Sequence, residues 1–229
     1  VNVLVVAAHP DDEVLGCGGT IARHVAANDA VSVLFLSEGV SSRSVPGEAR
    51  DWAPEIDERE GFARRAAGIL GFSIVDFLRH PNLRMRDAPM LDLVKQVDAA
   101  IRATSPHVVY THHVGDMNTD HGMAVEAVVT ACRPREGLTV RGIYSFEVPS
   151  STEWNTPGLA SPFLPTRYVD ITDFLAIKIR AMACYDHEMR TMPHPRSTHG
   201  VAALANFRGV SVGVTAAEAF VVLREIVTG

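Results

Sequence analysis

Within five consecutive residues, His9-Pro-Asp-Asp-Glu13 sets one imidazole beside three carboxylates. So dense a set of anions is costly unless a counter-charge sits among them. A divalent zinc ion fits, because it takes His nitrogen and Asp oxygen, and its catalytic sites use three protein ligands and keep one position open. His9 and Asp12 are the first two candidate ligands. The third must come from a remote segment, so that two loops close on one cation, and His121 is the best candidate. It follows Asp120 and opens a helix, and a carboxylate beside a ligating imidazole commonly orients it. Asp11 neighbours a ligand, but the peptide geometry turns its carboxylate elsewhere. It can therefore take a proton from the attacking water as a general base. Glu13 reads first as a first-turn helix acid favoured by the helix dipole, with a supporting contact to substrate. By itself the five-residue stretch could be a polar loop capping a helix through Asp11 or Asp12, and His121 is what argues against that reading.

These residues need elements that hold them still. Val1 to Ala8 is a short β-branched apolar run that predicts a strand buried on both faces, with the His9 to Glu13 stretch at its carboxyl end. Helical character follows over 16–27, then a second buried strand over 31–36. Residues 37–50 are rich in Ser, Gly and charge and predict a surface loop placed as a lid. A helix over 57–70 ends at Gly71, a third strand covers 74–78, and 80–87 is a polar loop. A helical stripe over 90–104 precedes a strand at 107–111. After that strand comes His112-His-Val-Gly-Asp-Met-Asn-Thr-Asp-His121, followed by a helix to Cys132. Strands at 142–148 and 166–171, helices at 173–185 and 216–227, and a long loop at 149–165 complete the pattern. The alternation predicts one domain over residues 1–229, an α/β sandwich with a mainly parallel sheet. Sites in such folds lie outside the carboxyl ends of the strands.

Composition narrows the function. Of 229 residues, 47% are hydrophobic and 21% charged, as in globular domains, and the formal charge of -6 argues against a general grip on nucleic acid. Cys17, Cys132 and Cys184 form no CxxC pair, which predicts neither a disulfide framework nor a thiolate metal site and favours a reducing cytoplasm. The apolar run at the start is too short to cross a bilayer, so no membrane contact is expected.

The two motifs, Ala8-His-Pro-Asp-Asp-Glu13 and Thr111-His-His-Val-Gly-Asp-Met-Asn-Thr-Asp-His121, resemble those of the PIG-L/LmbE-like zinc deacetylases. Arg59-Glu60, the Tyr144 to Trp154 stretch, Lys178 with Tyr185, His194-Pro-Arg-Ser197, Arg208-Gly209 and Ala217-Glu-Ala-Phe220 extend the likeness along nearly the whole chain. The resemblance implies a Rossmann-like three-layer sandwich, His9, Asp12 and His121 as ligands of Zn2+ (or Fe2+), and Asp11 as base. It also implies a small N-acetylated amino sugar or sugar-like substrate and a homo-oligomer. Two positions depart from the family. Some members carry a His two residues before the Asp-His pair, where this chain has Asn118, which can donate to an oxyanion but cannot act as an acid. In the 80–87 loop, an acid able to contact sugar hydroxyls is replaced by Arg86, which predicts either an acidic substrate or a contact taken over by Asp87.

Other residues have a bland reading beside the sharp one. A strand-end pair such as His112-His113 turns one ring inward at most, and His113 is the candidate. Asp116 reads as a turn former. His194 and Arg196, set among prolines, are placed to approach substrate from across the crevice, or simply form a surface loop. Cys17 reads as a small buried hydrophobe. Three rivals stand against the deacetylase. They are a hydrolase of another amide or ester, a nucleotide-binding module using Gly16-Cys-Gly-Gly19 as a phosphate cradle, and a non-catalytic metal-stabilised interaction protein.

Overall fold

In the computed structural model, which describes residues 1–44, 50–156 and 158–227, one seven-stranded sheet runs through the chain. Its strands are β1 (Asn2–Ala7), β2 (Ala30–Ser37), β3 (Ser73–His80), β4 (Val108–His112), β5 (Gly142–Phe146), β6 (Arg167–Asp170) and β7 (Ala217–Glu225). They lie in the order β3-β2-β1-β4-β5-β7-β6. The first five are mutually parallel, and β7 runs antiparallel to both β5 and β6. Six helices cover the faces: α1 (Asp12–Ala26), α2 (Ala53–Leu70), α3 (Met90–Thr104), α4 (Thr119–Ala131), α5 (Leu175–Met182) and α6 (Thr198–Val210).

The period of two along β1 divides the core. Val3, Val5 and Ala7 join one buried cluster, with Ile21 of α1, Phe62 of α2 and Met182 of α5. Leu4, Val6 and Ala8 join a second, with Val97 and Ile101 of α3 and Val128 of α4. Both faces of the strand are thus apolar, which is why it reads as an unbroken hydrophobic run. Crossovers lead from β1 toward β3 on one side and to β4 on the other. The order reverses between β1 and β4, and a crevice opens at their carboxyl ends. Helix ends follow local chemistry. Gly71 closes α2 at φ 82°, and Asn118 caps α4 by accepting the Asp120 N–H at 2.9 Å.

The 216–227 segment corrects the expectation of a helix, since Ala217–Glu225 is strand β7. Its Ala and Glu residues favour helix, but Phe220 and Val222 pack on one face of the sheet and Leu223 on the other, and pairing with β5 and β6 overrides propensity. Helix α6 lies in a stretch given no element by the periodicity. Residues 45–49 of the expected lid lie outside the described residues, and Ser41–Arg43 form a short 3-10 turn.

Candidate active site

Asp11 occupies a backbone conformation rare for anything but glycine, at φ 129°. Local bonds hold it there. The Asp11 carbonyl accepts from Val14 and Leu15 at the start of α1, and its N–H donates to Glu13 Oε2 at 3.0 Å. This turn, at an expense of order 1–3 kcal/mol, separates the Asp11 carboxylate from that of Asp12.

Asp12 faces the imidazoles. Its Oδ2 lies 3.1 Å from His9 Nδ1 and 3.3 Å from His121 Nε2, and all three residues are buried. A tetrahedral zinc with bonds of about 2.0–2.1 Å separates its donors by roughly 3.3 Å, so the spacing fits. Among the described residues His121 Nε2 is buried with no hydrogen-bond partner, which suits a metal-ligating nitrogen. The opposite ring nitrogens are held by carboxylates. His9 Nε2 lies 3.1 Å from Asp120 Oδ2, and His121 Nδ1 lies 3.1 Å from Asp116 Oδ2, at an angle short of a well-aligned hydrogen bond. Each imidazole thereby turns its free nitrogen toward Asp12.

Electrostatics agree with geometry. Burial depresses the basicity of His121, yet Asp12 and Asp116 push it up to about 10. Burial opposes the charge on Asp12, but His121 and His112 hold its carboxyl well below the usual range. The cluster demands positive charge between its imidazoles, and a divalent cation supplies it while displacing protons.

Asp11 looks the other way, into a cavity of about 210 Å³ that His9 and Asp12 also line. Its Oδ1 lies 3.2 Å from Arg59 Nη2 and its Oδ2 accepts from Arg196 Nη1 at 3.2 Å. Burial raises its pKa, and the two guanidiniums pull it back. Glu188 accepts from Arg59 and Arg43 and lies 3.5 Å from Arg196. Asn118 lines the same cavity, with Oδ1 engaged as the α4 cap.

Several expected contacts lie elsewhere. Arg86 and Asp87 are exposed and outside the cavity lining, Asp87 pairs with Arg84, and from their loop Asn82 and Leu83 face the cavity instead. Glu13 is fully buried, accepts from Tyr185 Oη, and is pushed by burial up to about 8, so it supports the Asp11 backbone and touches no substrate space. His113 donates through Nε2 to the Ser161 carbonyl at 3.1 Å. The ring turned toward the cluster is that of His112, stacked 3.9 Å from His121 with its Nε2 accepting from Ala8 N–H at 2.8 Å. His194 accepts the Arg196 N–H and packs edge-on against Trp154, holding the arginine without lining the cavity. Asp120 contacts His9, not the adjacent His121, and also accepts the Leu83 and Met85 N–H groups. Arg59 and Arg196 do line the cavity. Of the strand-end pair, His112 and not His113 is the inward ring. Asp116, which reads as a turn former, is an acid five residues before a candidate ligand, and Arg43 and Glu188 leave no signal as site residues.

The glycines of α1 are no phosphate cradle. The helix is interrupted at Cys17, and the N–H groups of Gly19 and Thr20 donate to the buried Glu218 carboxylate at 2.9 and 2.6 Å.

Comparison with known proteins places these features in company. The family model described as PIG-L, GlcNAc-PI de-N-acetylase, matches residues 4–132. A 1D-myo-inositol 2-acetamido-2-deoxy-alpha-D-glucopyranoside deacetylase of Saccharomonospora viridis is 30% identical over 97% of this chain and 95% of its own. Among solved structures, the 4-carboxy-2-hydroxymuconate hydratase of Pseudomonas putida KT2440 superposes with a TM-score of 0.76 at 27% identity, over 100% of this chain and 98% of that one. The N,N'-diacetylchitobiose deacetylase of Pyrococcus horikoshii shares the fold, with a TM-score of 0.74 at 19% identity over 97% and 84% of the two chains.

Proposed function

Because the chain belongs to the GlcNAc-PI de-N-acetylase (PIG-L) family, we propose that it hydrolyses the N-acetyl group of an amino sugar or sugar-like metabolite, releasing acetate and a free amine. One observation carries this reading. Two imidazoles and a carboxylate, their ligand atoms all within 4.8 Å of one another, adjoin a second carboxylate that faces a cavity. His9 Nδ1, Asp12 Oδ2 and His121 Nε2 would hold zinc, or iron in its place. A cation bound there acts as a Lewis acid that acidifies water and polarises the acyl carbonyl.

The chain's own groups do the rest. Asp11 takes a proton from water as its oxygen adds to the acetyl carbon, and gives that proton to the nitrogen as the C–N bond breaks. Arg59 and Arg196 fix the Asp11 carboxylate. Asn118 Nδ2 donates to the developing oxyanion, while Asp120 and Asp116 hold the two imidazoles in register. A cytoplasmic setting is supported by three free cysteines, and no helix among the described residues is long and apolar enough to cross a membrane. A homo-oligomer is supported by Phe207 and Val210, exposed on α6, and a single domain by the one continuous sheet.

One feature favours a second reading. Three arginines beside the cavity suit a carboxylated substrate, and the hydratase relative is as similar as many deacetylases, so water could add to a C=C bond instead. Acetate release separates the two. With N-acetylglucosaminides, Asp11→Asn should keep its metal and lose about 10²- to 10⁴-fold in turnover, whereas His121→Ala should lose the metal. Full turnover in Asp11→Asn removes the base assignment, and hydration without acetate release removes the deacetylase.

A further inference from the structure

β1 and β4 deliver the two halves of the donor set, and their backbone pairing stops short of it. Each stays paired with its outer neighbour to its end, β1 with β2 as far as Ala7 opposite Phe35, and β4 with β5 as far as His112 opposite Phe146. Between β1 and β4 the paired positions end at Val5 opposite Tyr110. Beyond that point the two strands part to open the crevice. Among the described residues, the Val6 carbonyl and the Ala8 N–H are left without a backbone partner on β4, and buried amide groups need one. Two buried side chains of β4 take the place of the ladder. Thr111 Oγ1 donates to the Val6 carbonyl at 3.2 Å, and His112 Nε2 accepts from the Ala8 N–H at 2.8 Å. On the other side the Ala8 carbonyl accepts from the Ser37 N–H at 2.7 Å. Ala8 is thus held from both sides, one residue before His9.

The His112 ring reaches the other half of the site as well. It stacks on His121 at 3.9 Å and meets Phe146 edge-on at 4.8 Å. With Nε2 engaged as an acceptor, the neutral ring carries its proton on Nδ1. His112 therefore adds no fourth donor, although Nε2 lies 3.6 Å from Asp12 Oδ2, and the three-donor site keeps its open position. We propose that His112 is a positioning residue: it bridges the split between β1 and β4 and sets the separation of His9 and Asp12 from His121 before a cation arrives. Donors whose places are fixed by packing and hydrogen bonds bind without having to be gathered. The inference rests on the deacetylase reading for what the cation does, but its own content is the geometry of the donors.

The test compares three variants of the full chain. His112→Gln places an amide oxygen where Nε2 stands, His112→Asn is one methylene too short to do so, and His112→Phe keeps a ring without the acceptor. Zinc dissociation constants come from competition with a chromophoric chelator, and the visible bands of the cobalt-loaded protein report ligand geometry apart from turnover. His112→Asn and His112→Phe should bind zinc about 10- to 100-fold more weakly than the wild type, with altered cobalt bands, while His112→Gln should recover most of the affinity and the wild-type bands. Lower urea midpoints with zinc affinity and cobalt bands unchanged would make the role one of folding alone and overturn the proposal. Equal zinc affinities in His112→Gln and His112→Asn would overturn it too, and that comparison stands even where His112→Phe does not fold. The expected order of affinities with no acetate released from N-acetylglucosaminides by the wild type would sink the deacetylase reading and leave the positioning role intact. A wild-type chain that takes up neither metal overturns both.

Discussion

The carboxylate of Asp116 touches His121 Nδ1 on one side and the hydroxyls of Ser151 and Thr152 on the other, so a turn residue links a candidate ligand to the 149–165 loop. Burial opposes its charge, but His121 and the two hydroxyls hold its pKa down to about 2. At neutral pH it is an anion beside the ring, and it raises the basicity of the nitrogen that faces Asp12. Asp116→Asn keeps the shape and removes the charge. It should weaken zinc affinity by about 10- to 100-fold, read by competition with a chromophoric chelator, and an unchanged dissociation constant would exclude the orienting role. At this scale the sequence was informative where chemistry is compressed into a short motif. His9, Asp11 and Asp12 stand together in the chain, and His121 stands at a predicted helix start. Arg43 and Glu188 lie 145 positions apart and meet only on folding. Arg86 lies exposed outside the cavity lining, and the order of residues in a loop does not say which way each side chain points.

At the scale of elements, α1 holds a conflict that the fold resolves. A helix broken at Cys17, φ -147°, frees backbone groups inside the protein, where unpaired amides are costly. The kink suits close packing, because a Cβ at Gly16 would lie 2.2 Å from Phe146 and one at Gly19 2.8 Å from Ile171. Glu218 of β7 accepts the freed N–H groups of Gly19 and Thr20, and Lys178 of α5 neutralises Glu218 while donating to the Leu15 carbonyl at 2.8 Å. Lys178→Met leaves a buried carboxylate without its cation and should destabilise the protein by about 3–5 kcal/mol, seen as a lower urea midpoint. Adding Glu218→Gln should recover part of the loss, while zinc content per folded molecule stays constant in both variants. An unaltered midpoint in Lys178→Met would show that the pair is structurally idle. This same Glu218 explains why β7 was illegible. Its glutamate and alanines look helical in isolation, and their strand conformation is fixed by an ion pair and by neighbours far away in sequence.

At the scale of the molecule, the parallel sheet was readable because β1, β2 and β4 are short apolar runs, buried on both faces, that alternate with helices. The strand order was not, since nothing local says that β4 lies beside β1 or that β7 enters between β5 and β6. That order makes the site possible. His9 and Asp12 follow β1, His121 follows β4, and the chain reverses its winding between those two strands, so a cation held by all three ties the two halves of the sheet together across the crevice. Two apolar layers still hold the sheet without it, so the protein should remain folded when the metal is removed but lose the linkage energy. With free zinc 100-fold above its dissociation constant that energy is about 2.7 kcal/mol. For a chain of this length it corresponds to a Tm higher by roughly 5–11 °C than in excess chelator. His121→Ala, which breaks the tie, should melt at one temperature with or without chelator. A wild-type Tm indifferent to chelator, in protein shown by elemental analysis to have bound zinc beforehand, would mean that the cation does not bridge β1 and α4 and that the three donors do not act as one site.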